Sequence, residues 1–371
     1  MRKILAVAKK EARQTLRDTR TLLMALVVPL FLLWLYGYAL NFDIRHVPLA
    51  IQDRDHSAVS REIVAAFLNS TYFDFVAAVD GDRHVSDLLD RNRARAVLVI
   101  PERTGARLTA GHDAAVQILI NGDNANTAST VMAYAAETVR GVSARLLTER
   151  FGAPPSVPIA AEPRVWFNPE LNSTLFLVPG LIAFISMITA VVLTSLSVVR
   201  EKERGTMEQV RMAPIGPLAY VIGKCIPYFV LAFVSAMAIL LAGMALFDVP
   251  MRGSWLLLVA ATSLFLLGAL GQGLLISTLA DSQQIGFQLA LLSSFLPTIL
   301  LSGFIFPIAS MPVAIRAVTH IVPARYYLAA LRAIVLKGAE LDVVAPQLGA
   351  LVVFLVIVTS LAALRLSRQR G

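Results

Sequence analysis

The sequence predicts an α-helical polytopic membrane protein: six transmembrane helices plus a re-entrant segment, with an inserted α/β extracytoplasmic domain. Three observations carry this reading. First, 57% of the 371 residues are hydrophobic and only 16% are charged, whereas soluble chains average about 45–50% and about 25%. Second, the apolar residues gather in six charge-free runs: Thr21–Leu40, Leu171–Val199, Cys225–Phe247, Gly253–Ala280, Ser282–Ile315 and Val343–Leu364. Each reaches the roughly 20 residues that cross a hydrocarbon core. Third, residues 41–170, between the first and second runs, have the mixed composition of a folded soluble domain.

The elements follow in chain order. Residues 1–20 carry seven basic side chains (Arg2, Lys3, Lys9, Lys10, Arg13, Arg17 and Arg20). At helical spacing these oppose Ile4, Leu5, Ala8, Ala12 and Leu16, which reads as an amphipathic helix lying in the membrane interface. Residues 21–40 form the first span. In 41–170, Val47–Gln52, Ala96–Ile100 and Val116–Ile120 are strand-like, and 57–69 and 125–150 look helical. Turn signals such as Asp80-Gly81 and Asn121-Gly122-Asp123 separate some of them. Five prolines between 151 and 169 make a stiff connector. The second span covers 171–199, the third 218–247, the fourth 253–280 and the fifth 282–301. The fifth apolar run is too long for one crossing and contains Pro297, Gly303, Pro307 and Pro312. Residues 302–342 are therefore expected to be a broken re-entrant and external segment, shielded by protein. The sixth span covers 343–364, leaving a tail over 365–371.

Basic residues in short loops set the orientation. They crowd the N-terminal segment, the 200–217 loop and the tail, while the 248–252 loop holds only Arg252. The 316–342 segment, with four, dissents mildly. Both termini are expected inside, with 41–170 outside.

The loop after the second span is the most informative segment. It runs Arg200-Glu201-Lys202-Glu203-Arg204-Gly205-Thr206-Met207-Glu208-Gln209, then Ala213-Pro214-Ile215. Arg204 and Glu208 stand at i, i+4 and are able to pair on a helix face. By composition alone this is an ordinary solvated loop with charges that stop transfer. It resembles, however, the E-x-E-x-G-T-x-E-Q loop of ABC-2 type permeases, in the subgroup with a large external domain after the first span. Leu301-Ser302-Gly303-Phe304-Ile305-Phe306-Pro307, Met311-Pro312 and Pro323-Ala324-Arg325-Tyr326-Tyr327 resemble that family's re-entrant region. Ile51-Gln52-Asp53-Arg54-Asp55 and Ile120-Asn121-Gly122-Asp123-Asn124 resemble its external strand ends.

The resemblance implies a bacterial inner-membrane permease that works as a dimer with a second copy or a paralogue. Each half would dock on a cytosolic ATPase subunit. Residues 200–211 would form the coupling helix, with Glu201, Glu203, Arg204 and Glu208 as contact residues and Gly205 and Thr206 completing the motif. The resemblance also makes Gly303, Phe304 and Pro307 re-entrant or pathway candidates. Gln272 and Gln288 join them as polar residues inside apolar runs. Charge-free spans suit a hydrophobic or amphipathic cargo, moved outward. Membrane lipid and a periplasmic adaptor are further expected partners.

Other chemistry is thin. Gly223-Lys224-Cys225 is the nearest approach to a phosphate-binding loop, but position 218 is Leu and Cys225 stands where a Mg²⁺-binding hydroxyl is required. ATP and Mg²⁺ are therefore expected on a partner subunit, with no cofactor in this chain. No catalytic constellation stands out, and the five histidines lack metal-ligand spacing. The basic residues sit at the ends of apolar runs, which speaks against nucleic acid. Competing readings are a permease for lipid-linked or polymer cargo, and a receptor or assembly factor that transports nothing.

Overall fold

The computed structural model describes residues 2–39, 46–123, 125–151, 167, 172–205, 212 and 216–368. The chain divides into two compact units, one of residues 1–42 with 164–371 and the other of residues 43–163.

In the first unit, six helices are long and apolar enough to cross a membrane. They are span 1 (Thr19–Ala39), span 2 (Ser173–Glu203), span 3 (Ala219–Phe247), span 4 (Trp255–Leu279), span 5 (Gln283–Leu301) and span 6 (Leu341–Arg368). An amphipathic interface helix, Arg2–Arg17, precedes them and packs on span 3. Span 1 contains a π-turn at Leu23–Val27, where the Val28 N–H reaches back to the Leu23 carbonyl. The next residue, Pro29, has no N–H to give, so the wider turn falls beside a position where the regular ladder is already interrupted.

Span 2 is the centre of this unit. It packs on spans 1, 3, 4 and 5 and on a further helix, Pro323–Lys337. Its first turn is capped by Asn172, which accepts a hydrogen bond from the Thr174 N–H at 2.9 Å. Span 4 is the second most buried crossing, held between span 2 and span 6. Spans 1, 5 and 6 keep broad apolar faces outward, which is how lipid-facing helices look.

The fifth apolar run breaks at the expected place. Span 5 ends at Leu301, and Gly303 takes φ +81°, a left-handed conformation that suits glycine. Short turns at Ile308–Ser310, Val313–Val318 and Thr319–Ile321 follow. The helix Pro323–Lys337 then buries Tyr327, Leu328, Leu331 and Ile334 against spans 2, 4 and 6. This helix lies within residues 302–342, expected from the sequence as a broken re-entrant and external segment.

The second unit is a four-stranded sheet in the order β2-β1-β3-β4, with β1 Val47–Asp53, β2 Phe73–Ala78, β3 Ala96–Ile100 and β4 Gln117–Ile120. β1 runs parallel to β2 and β3, and β4 is antiparallel to β3. Leu49, Ile51, Leu98 and Ile100 share a core with helices Ala58–Leu68 and Ala125–Phe151. Ala50, Val97 and Val99 face a smaller core completed by Val85 of helix Asp82–Asp90. Strand β2 escaped the sequence reading. It is an edge strand with Asp74, Phe75 and Val76 exposed, so no buried alternation marks it.

Candidate functional site

Four charged side chains meet where the interface helix, the end of span 2 and the start of span 3 converge. The Lys224 ammonium donates to Glu201 Oε2 at 2.8 Å and to Glu11 Oε1 at 3.3 Å. Lys10 donates to Glu201 and to Glu11. The Tyr220 hydroxyl donates to Glu201, and the Tyr228 hydroxyl reaches Glu11 at 3.3 Å. Lys224 is 0% exposed, Glu11 2% and Glu201 5%. Two carboxylates and two ammonium groups leave the cluster neutral, the condition under which buried charges persist. Burial alone would lower the Lys10 pKa, but its bond to Glu201 and the nearby carboxylates hold it above the usual 10.5.

Two further ties lie alongside. Asp18 caps span 1 by accepting from the Thr21 N–H and hydroxyl, and Arg200 Nη1 of span 2 donates to its carboxylate at 2.9 Å. The Thr21 hydroxyl, followed by Arg200, keeps the Asp18 carboxyl below the usual 3.8, against the opposing effect of burial. Glu203 accepts from the backbone N–H of Gln283 at 2.6 Å and from its side chain, which links span 2 to the first residue of span 5. The end of span 2 is thus bonded to spans 1, 3 and 5 and to the interface helix.

The expected coupling residues separate accordingly. Glu201 points inward and is closed off by Lys224, Lys10 and Tyr220. It is buried within the anchor. Glu203 and Arg204 are exposed. The helix expected over 200–211 does not run through: span 2 continues to Glu203, and Gly205 at φ +70° ends it. The Gly205 N–H bonds the Lys202 carbonyl at 3.1 Å, as helix ends with a left-handed glycine do. Thr206 and Glu208 lie outside the described residues.

The pathway candidates also divide. Phe304 is 2% exposed and seated on span 2, where a Cβ built on Gly180 would meet its ring at 2.0 Å. Gly303 and Pro307 line a cavity of about 460 Å³ with Arg325, Tyr326 and Arg332. Arg332 donates to the Gly303 carbonyl at 3.0 Å and the Phe176 carbonyl at 2.9 Å, and its guanidinium lies 3.8 Å from the Phe176 ring centre. Gln272 of span 4 donates to Ser293 of span 5 at 3.3 Å. Gln288 lies exposed on span 5. None of these lines the cleft of about 320 Å³ between spans 1, 2 and 5, whose walls include Met24, Ile188, Val192, Phe287 and Leu291, with Arg200 among its lining.

Sequence reasoning missed Lys224, Glu11, Tyr220 and Arg332. Lys224 fell within the predicted third span without a partner being foreseen, and it sits inside the span 3 helix. Glu11 did carry a signal, as the lone acid among the first 17 residues. Among the described residues no group of three or more His, Cys, Asp or Glu is arranged to hold a metal ion.

Comparison with known proteins places this architecture. The family described as "ABC-2 family transporter protein" matches residues 19–364. The chain is 36% identical over 338 residues to the "Probable multidrug ABC transporter permease YbhS" of Escherichia coli (strain K12), covering 91% of this chain and 89% of the relative. It is 30% identical over 336 residues to YbhR of the same strain, which bears the same description, covering 91% and 90%. The "Inner membrane transport permease YhhJ" of that strain is 28% identical over 356 residues, covering 94% and 92%.

Proposed function

This chain belongs to the ABC-2 family of transporter proteins, and from that premise we propose that it is the membrane half of a bacterial inner-membrane exporter of hydrophobic or amphipathic small molecules. ATP and Mg²⁺ bind and react on a separate cytosolic subunit. A second copy or a paralogue completes the pathway. Both termini and the segment after span 2 face the cytoplasm, and the 43–163 unit faces outward, where a periplasmic adaptor would meet it.

The observation that carries this reading is the bonded end of span 2. An ATPase pressing on the exposed Glu203, Arg204 and the residues after Gly205 would move span 2. The Glu201–Lys224–Glu11–Lys10 cluster, the Arg200–Asp18 pair and the Glu203–Gln283 bonds would carry the interface helix and spans 1, 3 and 5 with it. The cleft between spans 1, 2 and 5 changes shape when those helices shift. Its apolar walls suit a cargo with little charge. The re-entrant reading of 302–342 fits the same scheme: Gly303 turns the chain back and Arg332 satisfies carbonyls at the bend, as irregular backbone at membrane depth requires.

The test is co-purification from detergent-solubilised native membranes, comparing wild type, Glu203→Arg and Gln283→Ala. An ATPase should accompany the wild type and Gln283→Ala and be lost with Glu203→Arg. If no ATPase accompanies any of the three, the exporter assignment fails and a receptor role for the 43–163 unit takes its place.

A further inference from the structure

The interface helix has three faces, and among the described residues one of them is packed into the protein. Val7, Glu11 and Thr15 are buried. A second strip, Leu5, Ala12 and Leu16, looks across a groove of about 550 Å³ at Leu26 of span 1 and Ile226 and Val230 of span 3. Leu5 is 68% exposed and Leu16 70%, so this strip is unpartnered. The groove lining is almost wholly apolar, with Lys9 its one charged member. Water gains little in such a space, because it needs polar partners. The outward residues of two membrane-crossing helices form its far wall, so it opens toward lipid.

The third face supplies the complement. Lys9, Arg13 and Arg17 follow one another every four residues, about 40° apart around the helix. They form a flank beside the apolar strip. All three are exposed, and none has an acidic partner among the described residues. Lys10, one residue along, is different, because Glu201 and Glu11 take it. An apolar slot bordered by three cations that have no acidic partner among the described residues, at a membrane boundary, is the complement of one molecule type, an anionic phospholipid.

We propose that this groove is a resident anionic-phospholipid site, with an acyl chain between the interface helix and spans 1 and 3 and the phosphate held by Lys9 and Arg13. The lipid fills the side of the interface helix opposite the Glu11 anchor and so fixes the seat of that helix. The inference requires a membrane protein but not the coupling scheme above, and its test reads lipid rather than ATPase.

The experiment is native mass spectrometry of the full chain, purified in detergent with equal phosphatidylglycerol and phosphatidylcholine. Amide exchange of residues 2–17 is followed in nanodiscs of either lipid. Wild type should retain phosphatidylglycerol over phosphatidylcholine by at least about tenfold, each cation contributing roughly fivefold. Exchange over 2–17 should slow in phosphatidylglycerol. Lys9→Ala with Arg13→Ala should abolish the preference, whereas Lys9→Arg with Arg13→Lys should keep it, which separates lost charge from lost fold. Ala12→Phe keeps every cation but obstructs the slot and should also lose the lipid. Equal retention of the two lipids would overturn the proposal, as would unchanged retention by Ala12→Phe. So would slowed exchange produced by inorganic phosphate alone in phosphatidylcholine nanodiscs, which would mark a free-anion site.

Discussion

The two ends of span 2 handle buried charge in opposite ways. At Glu201 four ionised groups from three helices neutralise one another. Near Phe176, 25 residues earlier and about 37 Å along the helix, the single guanidinium of Arg332 meets no carboxylate among the described residues. The backbone carbonyls of Gly303, Phe176 and, at 3.5 Å, Phe304 receive it instead, with an aromatic face. The first arrangement depends on charge balance, so it is sensitive to the loss of any member and ties helices that are remote in sequence. The second depends on shape. It holds the bend after span 5 only while the carbonyls of Gly303 and Phe176 are presented together.

The sharpest way to break this comparison is Lys224→Met. It strands Glu11 and Glu201 with Lys10 alone and should destabilise the purified chain by about 3–5 kcal/mol, as removal of one partner from a buried ion group does. Adding Glu201→Gln should recover part of that loss in denaturant or thermal unfolding. If Lys224→Met proves neutral, the cluster is not a buried charge balance.

Arg332→Leu should cost less, about 1–3 kcal/mol, because it leaves the Gly303 and Phe176 carbonyls unpaired but no opposite charge. Arg332→Lys should recover less than half of it, since a point ammonium does not span two carbonyls as a planar fork does. Full recovery would make the bend end a charge site after all.

Gly180→Ala addresses shape alone. Its Cβ would lie 2.0 Å from the Phe304 ring, and overpacking should cost about 1–2 kcal/mol. Phe304→Leu in the same chain should relieve it, in the manner of contacting residues.

The smallest effect belongs to Asp18→Asn, roughly 0.5–1 kcal/mol for a partly exposed pair and cap. Its pH dependence is diagnostic. Because the folded carboxyl lies below the usual 3.8, its contribution is complete above that value and is lost as pH falls further, through the lowered pKa. The gap between wild type and Asp18→Asn should therefore persist at pH 5 and close only below about pH 4. The Arg332 end, which has no carboxylate, should show no such closure in the corresponding Arg332→Leu comparison.

Much of the architecture was legible in the residue order. The six helices long and apolar enough to cross a membrane follow from run length. Strands β1, β3 and β4 were readable because their apolar runs are bounded by turns. Edge strand β2 was not, since four of its six residues face solvent. Of the loop after span 2, the sequence gives Glu201, Glu203 and Arg204 similar weight, and nothing local separates the inward carboxylate from the outward one.

Chain order alone therefore determines which segments can cross a membrane, because hydrocarbon thickness and the need to pair every backbone amide act on each segment by itself. The fate of each charge was decided only by the tertiary structure. Lys224 bonds a residue 213 positions away, and Arg332 one 156 positions away. A charge is tolerable or costly according to what surrounds it in space, and in this chain its neighbours come from helices that only packing brings together.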